Sequence, residues 1–98
     1  MLTSKQRAAL RGAANGLAPV FQIGKAGVEP TVVSATVDCL KKRELVKLRL
    51  LETCPATARE AAEVLAEATG GEVVHVIGRT VVLFLKKKKD SAYEKLLK

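Results

Sequence analysis

Apolar residues recur along this chain with two different periods, and the switches between them predict its elements. Thr3-Ser4-Lys5-Gln6 has the spacing of a capping box, and Ala8, Ala9, Leu10, Ala13, Ala14 and Leu17 then return at helical intervals. A first helix therefore runs from about Ser4 to Ala14 and stops at Asn15-Gly16, with Arg7 and Arg11 four apart on one face beside the apolar stripe. After Pro19, the apolar run Val20 to Ile23 reads as a first strand. Pro30 suits the first position of a second helix, whose stripe is Val33, Val37 and Leu40 with Val32, Thr36 and Cys39 beside it, and which ends in Lys41-Lys42-Arg43. Those three cations complement the negative end of their own helix and also offer a corner for phosphate contacts.

Period two takes over from Glu44 to Leu51: Val46, Leu48 and Leu50 point one way, Lys47 and Arg49 the other. Thr57-x-x-Glu60 is a second capping box, opening a third helix with a small-residue stripe of Ala58, Ala61, Ala62, Leu65 and Ala68 that ends at Gly70-Gly71. Its outer side carries Glu60, Glu63 and Glu67, so it is expected to face away from any polyanion. A hairpin closes the domain, with Glu72 to Ile77 and Thr80 to Leu85 as strands around Gly78-Arg79. The last strand is apolar at nearly every position, as an interior strand with material on both faces should be. The order is αβαβαββ, an α/β chain of the two-layer α+β type with a mixed sheet. Right-handed crossovers put the second and third helices on one face of it and leave the first helix unplaced.

Composition sharpens this picture. With 98 residues, 48% of them hydrophobic, the chain makes one folded domain, expected over residues 1–85 with a basic tail over 86–98. No apolar run approaches the roughly 20 residues of a membrane span, and the first residues lack the apolar core of a signal peptide, which leaves a cytoplasmic protein as the expectation. Two cysteines, Cys39 and Cys54, and a single histidine, His75, give neither a disulfide framework nor metal-ligand spacing, so no cofactor or metal is expected. The net charge is +7, distributed as +6 over residues 1–51, −3 over 52–85 and +4 over 86–98. A positive surface turned toward a polyanion follows from that asymmetry, although basic surfaces also serve solubility alone.

The stretch Val20-Phe21-Gln22-Ile23-Gly24-Lys25-Ala26-Gly27 joins strand to helix through two glycines and a cation. Glycines let a backbone approach a partner closely and let N–H groups converge on an anion; the helix that follows adds unpaired N–H groups and a positive dipole end. Phosphate is the natural guest of Gly24, Lys25, Ala26 and Gly27. Taken alone, Gly-x-x-Gly is also an ordinary turn. A rival chemistry lies at Cys54-Pro55, just before the Thr57 cap, where a helix N-terminus would favour a thiolate; sulfur-carrier proteins use such a pair, but before the first helix of their sheet. Nonspecific DNA binding through the same cations is a second rival. His75 has no nucleophile beside it in sequence, so hydrolysis or group transfer is not expected.

Three stretches in order, Gln22-Ile23-Gly24-Lys25-x-Gly27, Glu44-Leu45-Val46-Lys47 and Val76-Ile77-Gly78-Arg79-Thr80-Val81-Val82-Leu83, resemble the signatures of the CRM domain, whose stand-alone bacterial members are the YhbY-like proteins. The opening Leu2-Thr3-x-Lys5-Gln6-Arg7-x-x-Leu10-Arg11 fits as well, and the resemblance covers about residues 2–85. It implies a four-stranded mixed sheet of order 1-2-4-3, like the C-terminal domain of translation initiation factor three. It also implies RNA as the partner, ribosomal RNA in large-subunit precursors for the stand-alone members, gripped through a loop likened to that of KH domains. On that reading Gly24, Lys25, Ala26 and Gly27 hold backbone phosphate, and Arg7, Arg11, Lys41, Lys42 and Arg43 widen the footprint. Asn15-Gly16-Leu17-Ala18-Pro19 and Leu83-Phe84-Leu85 depart from stretches where many relatives carry further cations. Only 3% of residues are aromatic, and Phe21 and Phe84 fall in strands as core positions, so recognition of folded RNA by backbone and shape is expected over base stacking.

Overall fold

A computed structural model describes residues 2–86. Its elements are α1 (Ser4–Ala14), β1 (Gln22–Ile23), α2 (Pro30–Arg43), β2 (Leu45–Leu50), α3 (Ala58–Thr69), β3 (Glu72–Ile77) and β4 (Thr80–Phe84), the expected αβαβαββ order. Of the tail, only Lys86 is described; Lys87, Lys88, Lys89 and Tyr93 lie outside the described residues. Among the described residues, no helix is long and apolar enough to cross a membrane.

Both capping boxes form. Thr3 Oγ1 accepts from the Gln6 N–H at 3.1 Å while Gln6 Oε1 accepts from the Thr3 N–H at 2.9 Å. Thr57 and Glu60 repeat the exchange at the start of α3, and hydrogen bonding from the Thr57 backbone N–H first, and from the Thr57 side chain second, holds the Glu60 carboxyl below the usual carboxylate range. α3 stops at Gly70, whose φ of +79° a residue with a side chain would adopt only with strain.

The four strands form one sheet in the order β1-β2-β4-β3, with β1 and β2 parallel and the other two pairings antiparallel. β4 is interior, and Val81, Val82, Leu83 and Phe84 are all buried because each face of the sheet is covered there. On one face Ile23, Val46, Leu48, Leu50, Val81 and Leu83 pack under α2 and α3 through Leu40, Ala61, Ala62 and Leu65. This sheet and its helix pair are the two layers that chain order anticipates. On the other face Leu45, Val74, Val82 and Phe84 pack under Leu10 and Ala14, so α1 adds a smaller third layer. Burying Leu10 completely contributes about 1.5–3 kcal/mol, which is what fastens α1 to the sheet.

Element ends shift slightly from expectation. β1 spans two residues, because Val20 and Phe21 meet β2 through isolated bonds, Val20 N–H to Lys47 O at 2.9 Å and Arg49 N–H to Phe21 O at 3.4 Å. β2 begins one residue late because Glu44, buried to 1% exposure, takes φ +63° and ψ −51°, close to a γ-turn. That kink turns the chain from α2 into β2, and its carbonyl accepts from the Leu85 N–H at 2.9 Å, just past β4.

Candidate nucleic-acid interface

The elbow between β1 and α2 is built at the end of the sheet where β1 and β2 finish side by side. Leu51 N–H donates to Ile23 O at 2.9 Å, which fixes where the chain leaves β1. Gly27 N–H then donates to Gly24 O at 2.9 Å and closes a four-residue turn. Neither Lys25 nor Ala26 has positive φ, which excludes the type II and primed turns and leaves both central positions open to any residue. Lys25 and Ala26 are exposed, whereas Gly27 is buried.

The two glycines do different jobs. Gly27 has φ +72°, and a Cβ there would come within 3.3 Å of Pro55 Cγ, so it needs both the backbone freedom and the space. Gly24 has no such φ, and a Cβ would meet Leu51 Cδ1 at an ordinary 3.6 Å. Pro55 and Leu51 belong to the loop between β2 and α3, which backs the elbow from inside.

Several backbone donors around the elbow are unspent. Gly27 and Glu29 use their N–H groups within the turn, but those of Lys25, Ala26, Val28, Thr31 and Val32 donate to no described residue. Glu29 is the N-cap of α2, yet its carboxylate takes no backbone N–H; Glu29 Oε2 accepts from Thr31 Oγ1 at 3.4 Å. Free donors, the positive end of a 14-residue helix and the Lys25 ammonium thus share one exposed corner, with Glu29 as the single acid on the turn and its helix cap.

Two cations that sequence reasoning did not single out join this corner. Arg49 on β2 is the register partner of Gln22, two residues before Gly24, and its side chain is exposed. Exposed Arg79 lies in the β3–β4 turn, where its carbonyl accepts from the Leu50 N–H at 2.7 Å. The alternation of β2 placed Arg49 opposite its apolar face, but only sheet order pairs it with Gln22, two residues before Gly24.

The other candidate residues are spread more widely. Lys41, Lys42 and Arg43 are exposed at the far end of α2, about 20 Å from the elbow at 1.5 Å per residue. Arg43 shares a cleft with Lys47, Cys39 and the Leu17–Val20 segment, and Lys47 Nζ donates to Leu17 O at 3.2 Å. Arg7 is half-buried, lining a groove with Val73 to Val76 of β3 and with Arg59 of α3; its Nε is enclosed without a hydrogen-bond partner, so part of this side chain packs α1 against the sheet. Gln6 lines a different cleft, with Glu72 and Phe84, so Arg7 lies toward the middle of β3 and exposed Arg11, one turn on, shares its side of α1. On α3, exposed Glu60, Glu63 and Glu67 keep the outer helical surface acidic.

Phe84 is buried under α1 and Phe21 packs half-buried against the larger core, the core roles expected of them. Cys39 and Cys54 are free, half-buried thiols against that same core. At the N-terminus of α3 near Cys54, the capping box uses the Thr57 and Glu60 N–H groups.

Known proteins are similar to this chain in sequence and fold. Residues 2–84 match the model of the CRS1/YhbY (CRM) domain. The chain is 36% identical over 94 residues to the probable RNA-binding protein YqeI of Bacillus subtilis, covering 96% of this chain and 98% of that one. It is 38% identical over 85 residues to the probable RNA-binding protein MJ0652 of Methanocaldococcus jannaschii, covering 85% of this chain and 63% of that longer one. The solution structure of SAV1595 from Staphylococcus aureus, described as a candidate RNA-binding protein, superposes with a TM-score of 0.80 at 40% identity, over 93% of this chain and 95% of that one. Because that family model spans residues 2–84 and YqeI matches over nearly the whole of both chains, the chain belongs to the CRS1/YhbY (CRM) domain family.

Proposed function

We propose that this protein binds structured RNA, with the elbow from Gly24 to Gly27 as its phosphate grip. Supporting this most directly is the elbow itself: unspent backbone N–H groups, a helix N-terminus and the exposed Lys25 converge on one open corner. The relatives with RNA-binding names add weight. Arg49 and Arg79 extend the positive surface beside the grip, Arg7 and Arg11 supply cations from α1, and Lys41, Lys42 and Arg43 form a second contact about 20 Å away along α2. That separation suits an RNA long and folded enough to touch both ends of α2 at once.

Ribosomal RNA within large-subunit precursors is the target that the family resemblance suggests, and assembly of that subunit in the cytoplasm is the role. Backbone donors and point charges recognise phosphate geometry, and the 2′-OH and A-form shape then distinguish RNA from duplex DNA. Two measurements test this reading. Sedimentation of a cell extract should bring the protein down with immature large subunits. Competition at matched salt should show ribosomal RNA displacing a labelled RNA hairpin far more readily than duplex DNA of equal length; equal displacement would mean nonspecific polyanion binding.

A further inference from the structure

We infer that an uncovered strip of the sheet beside the elbow receives unpaired nucleotides of the RNA whose phosphate the elbow holds. This rests on the elbow reading above. Strand register sets Gln22, Arg49, Thr80 and Ile77 in one row across all four strands. In each strand the neighbouring position, Ile23, Leu50, Val81 or Val76, packs into the core under α2 and α3, so alternation turns the row's side chains to the opposite face. On that face the core under α1 is built from Leu45, Val74, Val82 and Phe84, none of which belongs to the row. Gln22 and Arg49 are exposed, Thr80 is half-buried, and Ile77 is 61% exposed.

Three strand gaps of about 4.8 Å make the strip about 14 Å long. It starts at β1, two residues from Gly24, and ends at β3. A chain leaving the elbow across the sheet therefore meets an amide, a guanidinium, a hydroxyl and an apolar side chain in that order. The row holds no carboxylate. Gln22 offers donors and an acceptor to a base edge, Arg49 offers a fork to phosphate or a base carbonyl, and Ile77 offers apolar surface to the face of a base. A base inside a duplex has its faces covered by its neighbours, so the guest must be unpaired. An acidic peptide would match Arg49 and Lys25 but would leave the amide and the apolar end without a purpose.

The test uses two labelled probes: one blunt RNA duplex, and the same duplex carrying six unpaired uridines at both ends. Binding is followed by fluorescence anisotropy for the wild type, R49S/I77S, I77S alone and K25D/A26D, each checked by thermal melting. The wild type should prefer the extended duplex. In I77S that preference should fall several-fold with the blunt duplex bound as by the wild type; in R49S/I77S both probes should weaken through the cation lost beside the grip, the extended duplex by about tenfold more than the blunt one; and K25D/A26D should weaken both probes together. Undiminished preference in R49S/I77S and in I77S, equal loss on both probes, or no preference in the wild type would overturn the strip. Wild-type binding by K25D/A26D would instead refute the elbow, whatever the strip variants do. Loss of a fluorescent oligoglutamate peptide by R49S/I77S, with RNA binding intact, would also overturn the inference and assign the strip to an acidic protein segment.

Discussion

Replacing Lys25 and Ala26 by aspartates changes the charge of the elbow by three units without touching what holds the elbow together. Both side chains are exposed and make no side-chain hydrogen bond with a described residue, and both have negative φ that aspartate readily adopts. The closing bond, Gly27 N–H to Gly24 O at 2.9 Å, is backbone to backbone and survives the change. A phosphate about 6 Å from each new or lost charge, at an effective dielectric near 60, feels roughly 1 kcal/mol per unit charge. Three units amount to about 3 kcal/mol, or about a hundredfold in Kd, at low salt. At 0.15 M salt the Debye length of about 8 Å roughly halves that energy and leaves about a tenfold loss. Titrations of a ribosomal RNA fragment between 50 and 300 mM salt should therefore show a variant that is weaker everywhere and less salt-dependent, by about 0.7 to 0.9 in the log–log slope per lost phosphate contact. The melting temperature should stay within about 3 °C, since surface changes of this kind fall within about 0.5 kcal/mol. Unchanged affinity and slope in a folded variant would exclude the elbow as a phosphate grip.

Three further outcomes follow from the geometry. G27A should destabilise the fold by about 1–2 kcal/mol in urea unfolding, because its φ of +72° disfavours a Cβ that would also press on Pro55, while G24A should unfold like the wild type; equal midpoints for the two would contradict that division. E44G should be more stable than E44A by about 1–2 kcal/mol, since both lose the same carboxylate and only glycine relaxes at φ +63°; thermal melts of the pair measure the difference. Because the folded-state pKa of Glu60 is lowered, its stabilising contribution is complete above the ordinary carboxylate range and vanishes as pH drops through the lowered value. The stability of the wild type relative to E60Q should accordingly decline between pH 6 and pH 3, and a constant gap would sever the capping box from that titration.

Features that depend on neighbours along the chain are legible in the sequence. Thr3 with Gln6 and Thr57 with Glu60 announce helix starts because a cap satisfies donors only three residues away, and the alternation of Val46, Leu48 and Leu50 fixes a buried strand face. The elbow was legible for the same reason, since Gly24, Lys25, Gly27 and Pro30 are close in sequence. Tertiary structure decided the rest. α1 obeys no crossover rule, and its place opposite α2 and α3 comes from Leu10 and Ala14 finding Val74, Val82 and Phe84, sixty or more residues away. Glu44 was read as the first strand residue, but burial and a positive φ at the turn into β2 overrode its local pattern. Arg49 and Arg79 could be recognised as neighbours of the elbow only once β2 was paired to β1 and the hairpin turn to Leu50, because pairing of distant segments is settled by packing and hydrogen bonding across the sheet, and no local spacing encodes it.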